Sequence, residues 1–470
     1  MEELQQVVLS NVLKRIKPGI NRRRFIGDAV DSAIRRITDR FREIDGELEV
    51  RLEGSLAKDT WISTEAEADI FVLFPVRYSK EEMGNILTEE TIKIFGDSNS
   101  VLRYAEHPYV TVNLGPLGID VVPCFKVQPT KWESATDRTI YHTEFIQESC
   151  DDRLKDEARL LKAFMKGIGR YGAEIKTGGF SGFLCELLVI HFKSFTGVLK
   201  ALSELKTLLI IDLKAHYDGR TPEEISAKFN SSFVVVDPID PERNVASAVS
   251  EESLHTFIWA SRRFLQRPSE RFFSRAKISS EVKRKVLQNV NRSRIEAVAL
   301  RLPAWKQPPD IIWGQLHRIR KRFETKLLES GYDVIRSADW TDEKREALVL
   351  IAIETTELPM VDVHEGPPVT DYANSEIFLS KYGRDARLVS GPFMRNGRWC
   401  LLLKRDTFSI RRSLLHALSD ARFLGGMPEE SVGAIRKSEI AAGKGVLSIS
   451  RSKEGAEFIL RFLHGREWWI

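Results

Sequence analysis

The stretch EGSLAKDTWISTEAEADIFVLF, residues 53–74, limits the fold more than any other. It begins where a run of period two ends. Leu48, Val50 and Leu52 alternate with charged residues, as on a half-buried strand, and the chain then turns at Gly54-Ser55. It finishes in a strongly apolar strand, DIFVLFPV. Two further strand-like runs, YVTVNLG and GIDVVPCF, are joined through Gly-Pro-Leu-Gly and read as a hairpin. Ahead of these strands the period is helical. Leu4, Val7, Val8, Val12 and Ile16 recur at three- and four-residue steps up to Pro18-Gly19, and Ile26, Val30, Ile34, Ile37 and Phe41 mark a second helix closing at Asp45-Gly46. Helices followed by a sheet predict an α+β domain over residues 1–145.

From Asp151 the helical period returns. Leu154, Leu161, Phe164 and Met165 mark a helix ended by Gly167 and Gly169, an apolar helix begins near Gly179, and another is expected around Thr207–His216. SSFVVVDPID reads as an isolated strand, and Leu254, Phe257, Ile258 and Phe264 as a further helix. Residues 146–266 are thus expected to form a mainly helical second domain. In residues 267–470, RIEAVALRLP, YDVIRSADW and ALVLIAIE read as strands around the long amphipathic helix IIWGQLHRIRKRFETKLLESG. That order predicts a mixed α/β region with helices on one face of a small sheet, and a second strand pair in RWCLLLKR and VLSISRS.

Composition sets outer limits. A chain of 470 residues predicts about three domains, and 42% hydrophobic with 29% charged residues excludes a disordered or fibrous protein. Lys plus Arg number 71 against 67 acids, a net charge of +4, so any basic surface must come from patterning. Cys124, Cys150, Cys185 and Cys400 form no C-x-x-C pair, which favours neither a disulfide framework nor a zinc knuckle. MEELQQVV lacks a basic n-region, and the most apolar run, FLCELLVIHF, is interrupted by Glu186 and His191 and too short to span a bilayer. The expectation is a cytoplasmic protein with no membrane partner.

Three carboxylates carry the chemistry. Glu67 lies twelve residues after Ser55, and Asp69 follows two residues later at the start of the apolar strand. In extended chain the two share one face. Asp120 sits inside Gly-Ile-Asp-Val-Val, where an acid must be paired, protonated or bound to a metal. Acids on adjacent strands suit a hard cation such as Mg²⁺, and Gly54-Ser55 with Lys58 could face an anion. Such a set serves attack of a hydroxyl on the α-phosphate of a nucleotide. Solvated acids at a strand start, an ordinary turn and a salt bridge to Asp120 explain the same residues.

At this point the sequence resembles the class I, archaeal-type CCA-adding enzymes, tRNA nucleotidyltransferases of the polymerase-β-like superfamily. RYAEHPYV, IDVVPCF, SATDRTIYH, RLLKAFMKGIGRYGAE, GFSGFLCELL and VVDPIDPERNVA occur in the family's order, densely over residues 50–250. Farther on, GPPV and NGRW are similar to family segments. The resemblance implies a nucleotidyltransferase head, a helical neck that helps select the nucleotide, and a tRNA-binding body and tail. It implies Glu67, Asp69 and Asp120 as catalytic metal ligands, with Asp120 nearest the attacking hydroxyl. Gly54, Ser55, Lys58, His142, Lys162 and Tyr171 become ATP- and CTP-binding positions, and Arg243 helps select the base. Taken without the family, His142 is a structural hydrogen-bonding group, Lys162 a solvated charge, Tyr171 a core ring and Arg243 a partner of Asp240 or Glu242. Departures are Asp59, where a small or polar residue is usual, Glu67 in place of aspartate, and Ala68 where a branched residue is common. Asp59 would weaken a triphosphate site unless it points away.

The implied reaction adds C, C and A to a tRNA 3′ end from CTP and ATP, with Mg²⁺ as cofactor. Its acceptor is gripped at the acceptor stem and elbow, and the family implies a homodimer. Basic residues His317, Arg318, Arg320, Lys321, Arg322 and Lys326, and the run RPSERFFSRAKISSEVKRK, offer phosphate contacts or solvated helix faces alike. Trp305, Trp313, Trp340 and Trp399 are stacking platforms or core residues. A poly(A) polymerase or oligoadenylate synthetase is the alternative enzyme. A non-catalytic RNA-binding protein is the alternative class, and buried acids beside a phosphate turn argue against it.

Overall fold

A computed structural model describes residues 2–64, 66–104, 107–275, 277–292, 296–406 and 408–470. The chain divides into two compact units, one of residues 1–276 with 467–470 and one of residues 277–466.

The first unit opens with the two expected helices, Glu2–Ile16 and Ile20–Ile44. A five-stranded sheet follows: β1 (Glu49–Glu53), β2 (Glu67–Phe74), β3 (Ser100–Tyr104), β4 (Pro108–Leu114) and β5 (Leu117–Phe125), in the order β1-β2-β5-β4-β3. Only the central β2–β5 pair is parallel. One face, with Ala68, Ile70, Val72, Val112 and Ile119, packs under Ile26, Val30 and Ile37 of the second helix and Met83 and Leu87 of a third. On the other, Phe71, Leu73 and Cys124 are covered by Ile140 of the helix Thr139–Ser149. That cover lies over one end of the face and leaves the acids of β2 and β5 at the other.

The third helix, Lys80–Phe95, and β3 were not among the sequence expectations. The helix has a legible start, since Ser79 and Glu82 form a reciprocal capping box. Gly54-Ser55 is not a simple turn but opens a single helical turn, Gly54–Ala57.

The rest of this unit is largely helical, with Asp152–Gly167, Gly182–Phe192, Phe195–Ser203 and Glu251–Gln266 around a core rich in phenylalanine. Phe164 alone meets the rings of Phe195, Phe257, Phe264, Phe272 and Phe273. The helix expected around Thr207–His216 is absent. Leu209–Ile211 is instead a strand, paired in parallel with Phe233–Val235, so the strand read as isolated has a partner. A short apolar run with adjacent isoleucines carries no period that separates the two states. No single described helix is long and apolar enough to cross a membrane.

In the second unit, Glu296–Pro303, Val334–Thr341 and Glu346–Ile353 form the expected strands, joined by Glu439–Ala442 in an antiparallel sheet. Helices cover both faces rather than one. Val349 and Ile351 pack with Leu316 and Phe323 of the helix Pro309–Glu329, while Leu348 and Leu350 pack with Val286 of Ser280–Asn291 and Ile459 of Lys453–His464. Both sides of a buried strand are apolar, so the pattern could not assign one covered face. Arg398–Lys404 pairs with Val361–Pro368 and Leu388–Arg395, not with VLSISRS, which lies in and after a 3₁₀ turn. Ser450 and Ser452 there hydrogen-bond the buried Glu346 carboxylate. Trp305 and Trp313 are core residues whose indole N–H groups donate to Gln315 and Glu343.

Candidate active site

Strand register builds the site. Glu53 on β1 stands opposite Asp69 on β2, Asp69 opposite Asp120 on β5, and Asp120 opposite Thr111 on β4. Residues level across neighbouring strands point to the same side, so these four form one row. Glu67, two residues before Asp69, projects to that side at the exposed end of β2. The Thr111 hydroxyl donates to Asp120 at 2.6 Å.

Gly54 closes the row from above. Its φ is +70°, and a Cβ there would lie 1.8 Å from Asp69 Oδ2. Only glycine lets the helical turn Gly54–Ala57 approach this carboxylate. The first N–H groups of such a turn have no acceptor within it, and Ser55 stands among them, partly exposed.

Crowded acids in little water resist ionisation. Asp69 is pushed up to about 7, first by burial and then by the charge of Asp120, with Glu67 and Glu53 adding and Lys58 opposing. Burial likewise raises Asp120, against the Thr111 hydrogen bond, and lifts Glu53 to about 7. Oxygen donors whose mutual repulsion a cation would relieve fit a divalent metal. The trio is brought to one side but not closed on a common point: among the described residues no group of three His, Cys, Asp or Glu side chains has a metal-holding arrangement.

Beside this row lies a second cluster. The Lys58 ammonium donates to Glu186 Oε2 at 2.8 Å, and the Lys162 ammonium to Glu186 Oε1 at 2.7 Å. Lys162 is thus a buried, paired charge and not a solvated one. Tyr171 lies four residues beyond the helix Asp152–Gly167 that carries Lys162, and is bridged to Phe180. It still meets Lys162 near one point: a Cβ on Gly182 would be 2.8 Å from the Tyr171 hydroxyl and 3.6 Å from Lys162 Nζ. Asp59 points into two guanidinium groups, Arg23 at 2.6 Å and Arg159 at 2.7 Å, so its charge is already taken up.

A third cluster contains His142 and Arg243. Both bind the fully buried Asp237, at 2.8 and 2.7 Å. The partner of Arg243 is therefore neither Asp240, which pairs with Arg138, nor Glu242, which pairs with Lys228. Burial lowers the His142 pKa, against the pull of Asp237. Phe183 joins the clusters: it stacks on His142 with centroids 4.1 Å apart, and Lys58 Nζ lies 5.6 Å from its ring centre.

The sequence reading missed Glu53, Phe183, Glu186 and Asp237. Glu186 carried a signal, since the buried-acid rule applied to Asp120 applies equally to an acid within FLCELLVIHF. Asp237 carried little, because acids are common in Asp-Pro turns.

In the basic helix of the second unit, three of the side chains are internally engaged. His317 and Arg320 bind Asp339, and Arg322 donates to the carbonyls of Phe423 and Gly425. Lys321 and Lys326 line an open cleft of about 460 Å³ with Arg422.

Comparison with known proteins gives family-model matches to a nucleotidyltransferase domain over residues 34–142 and to the second domain of tRNA nucleotidyltransferases over 156–274. The C-terminal domain of CCA-adding enzymes matches over 293–433. A CCA-adding enzyme of Halobacterium salinarum is 35% identical over 446 residues, covering 93% of this chain and 92% of the relative. One from Pyrobaculum aerophilum is 37% identical over 86% of this chain and 91% of its own length, and one from Methanothermobacter thermautotrophicus 35% over 80% and 82%. The solved structure of a cytoplasmic RNA terminal U-transferase matches 59% of this chain and 100% of its own, at 15% identity and a TM-score of 0.46, too distant to inform the chemistry.

Proposed function

Because the chain belongs to the archaeal-type CCA-adding enzymes, tRNA nucleotidyltransferases with a polymerase-β-like head, we propose that it completes and repairs the 3′ end of tRNA from CTP and ATP. No nucleic-acid template is used. The tRNA 3′-hydroxyl attacks the α-phosphate of the incoming nucleotide, and pyrophosphate leaves.

Positioning and charge do the chemistry. In this reading Glu67, Asp69 and Asp120 hold Mg²⁺, which when bound would neutralise phosphate charge and make the hydroxyl more acidic. Asp120 stands nearest the attacking hydroxyl, its second oxygen steadied by Thr111. Gly54 keeps the turn bare, so that its backbone N–H groups, Ser55 and Lys58 receive the triphosphate. Lys162 and Tyr171 contact the nucleotide from the helical segment, and His142 and Arg243, tied through Asp237, present donors toward the nucleotide and its base. The observation that carries this reading is the level pairing of Asp69 with Asp120 on parallel strands beneath the Gly54 turn.

The proposed division of labour follows the sequence: residues 1–145 as the catalytic head, 146–266 as the nucleotide-selecting neck, and 267–470 as the body and tail that bind the acceptor stem and elbow. We further propose a cytoplasmic homodimer. Replacing Asp120 by alanine tests the catalytic assignment. Nucleotide transfer should fall by at least a hundredfold, about the loss of one strong electrostatic group, while tRNA binding is kept. Normal transfer by this variant would refute it.

A further inference from the structure

Glu186 is a charged group that the proposed reaction does not use. It lies on the helix Gly182–Phe192, among the core residues Leu184, Leu187 and Leu188, with none of its surface exposed. An unpaired carboxylate could not persist there. Three donors satisfy it: Lys58 at one oxygen, and Lys162 with the Thr60 hydroxyl at the other. Lys162 also donates to the Thr60 hydroxyl at 2.8 Å. The two lysines come from different parts of the chain, one just after the Gly54–Ala57 turn and one on the helix Asp152–Gly167.

We propose that Glu186 is the positioning residue of the nucleotide site: it clamps Lys58 and Lys162 into one fixed pair and leaves that pair a single positive charge in excess for an incoming triphosphate. The inference rests on the reading of Lys58 and Lys162 as nucleotide contacts. Two ammonium groups meeting in an apolar core repel, and the carboxylate between them removes that repulsion. Glutamine has the same shape but the wrong polarity, because its amide nitrogen is a donor and would face an ammonium that is also a donor. Aspartate, one methylene shorter, cannot span both lysines. Held by Glu186, the two ammonium groups stay at a set separation. Without it, Lys162 keeps the Thr60 hydroxyl but loses the carboxylate that offsets its burial and the charge of Lys58, and is no longer held in place.

The test is steady-state kinetics on a tRNA lacking its CCA end, with CTP and ATP varied separately. Glu186→Gln should raise KM for both nucleotides by a similar factor, roughly tenfold or more, as expected for loss of charged hydrogen bonds. Its kcat should change by less than about threefold and tRNA binding should stay the same. Lys58→Ala and Lys162→Ala serve as references. If they raise KM and Glu186→Gln does not, the positioning role fails and the reading of the lysines stands. If neither lysine variant moves KM, that reading fails and takes the inference with it. Should Glu186→Gln not fold, the pair Lys162→Met with Glu186→Leu replaces buried charge by apolar volume and carries the test. Its KM should exceed that of Lys162→Met alone, because Lys58 loses the same carboxylate. A KM equal to that of Lys162→Met alone would contradict the role.

Discussion

Gly54 and Asp69 share a space that no Cβ can enter, which makes Gly54→Ala a sharp probe of the site. The added methyl would meet the carboxylate at 1.8 Å on a backbone at φ +70°. The variant should lose at least a hundredfold in kcat/KM while retaining most of its stability, as initial rates and thermal unfolding would show. Asp69 itself should cost stability. Its folded pKa, about 7, lies above the ordinary 3.8, so the penalty is absent below pH ~3.8, grows with rising pH and is complete above pH ~7. In metal-free buffer Asp69→Asn should therefore raise the melting temperature at pH 8, by roughly 2–5 °C, and leave it unchanged at pH 3.5. At this scale the sequence revealed acids better than it revealed what holds them. Asp120 stood out because apolar neighbours flank it. Glu53 did not, because β1 alternates charged and apolar residues and only register shows that it faces Asp69.

Elements that carry a periodic pattern were readable, and elements defined by their partners were not. The first two helices and the β4–β5 hairpin follow from spacing alone. The Leu209–Ile211 strand exists because Phe233–Val235 lies alongside it, a pairing far removed in sequence. Asp237, just past that second strand, ties the helix Thr139–Ser149 to the Arg243 loop through His142. Burial pushes its carboxyl up, but His142, backbone N–H groups and Arg243 outweigh this and bring it down to about 2. A depressed carboxyl stabilises the fold above its unfolded pKa, near 4, and that contribution disappears as pH falls toward 2. Asp237→Asn should cost on the order of 2–3 kcal/mol at pH 7 and almost nothing at pH 2. Urea unfolding at the two pH values measures this, and equal losses at both would disprove the ionic tie.

Across the whole chain, the last residues return to the first unit, which no local pattern announces. The Trp468 indole N–H donates to the Gly167 carbonyl at 2.8 Å, and Trp469, 4% exposed, packs on Phe272. Deleting residues 467–470 should destabilise the first unit by about 3–5 kcal/mol, the usual loss for a buried large aromatic. Protection of the Asp152–Gly167 amides in hydrogen exchange would report it. The central claim is tested most directly with a tRNA that lacks its terminal CCA, supplied with Mg²⁺ and labelled CTP or ATP, singly and together. Growth by two residues with CTP alone, and by a third only when ATP is present, is the predicted result. Long runs of A from ATP alone, or tRNA bound without any incorporation, would contradict it.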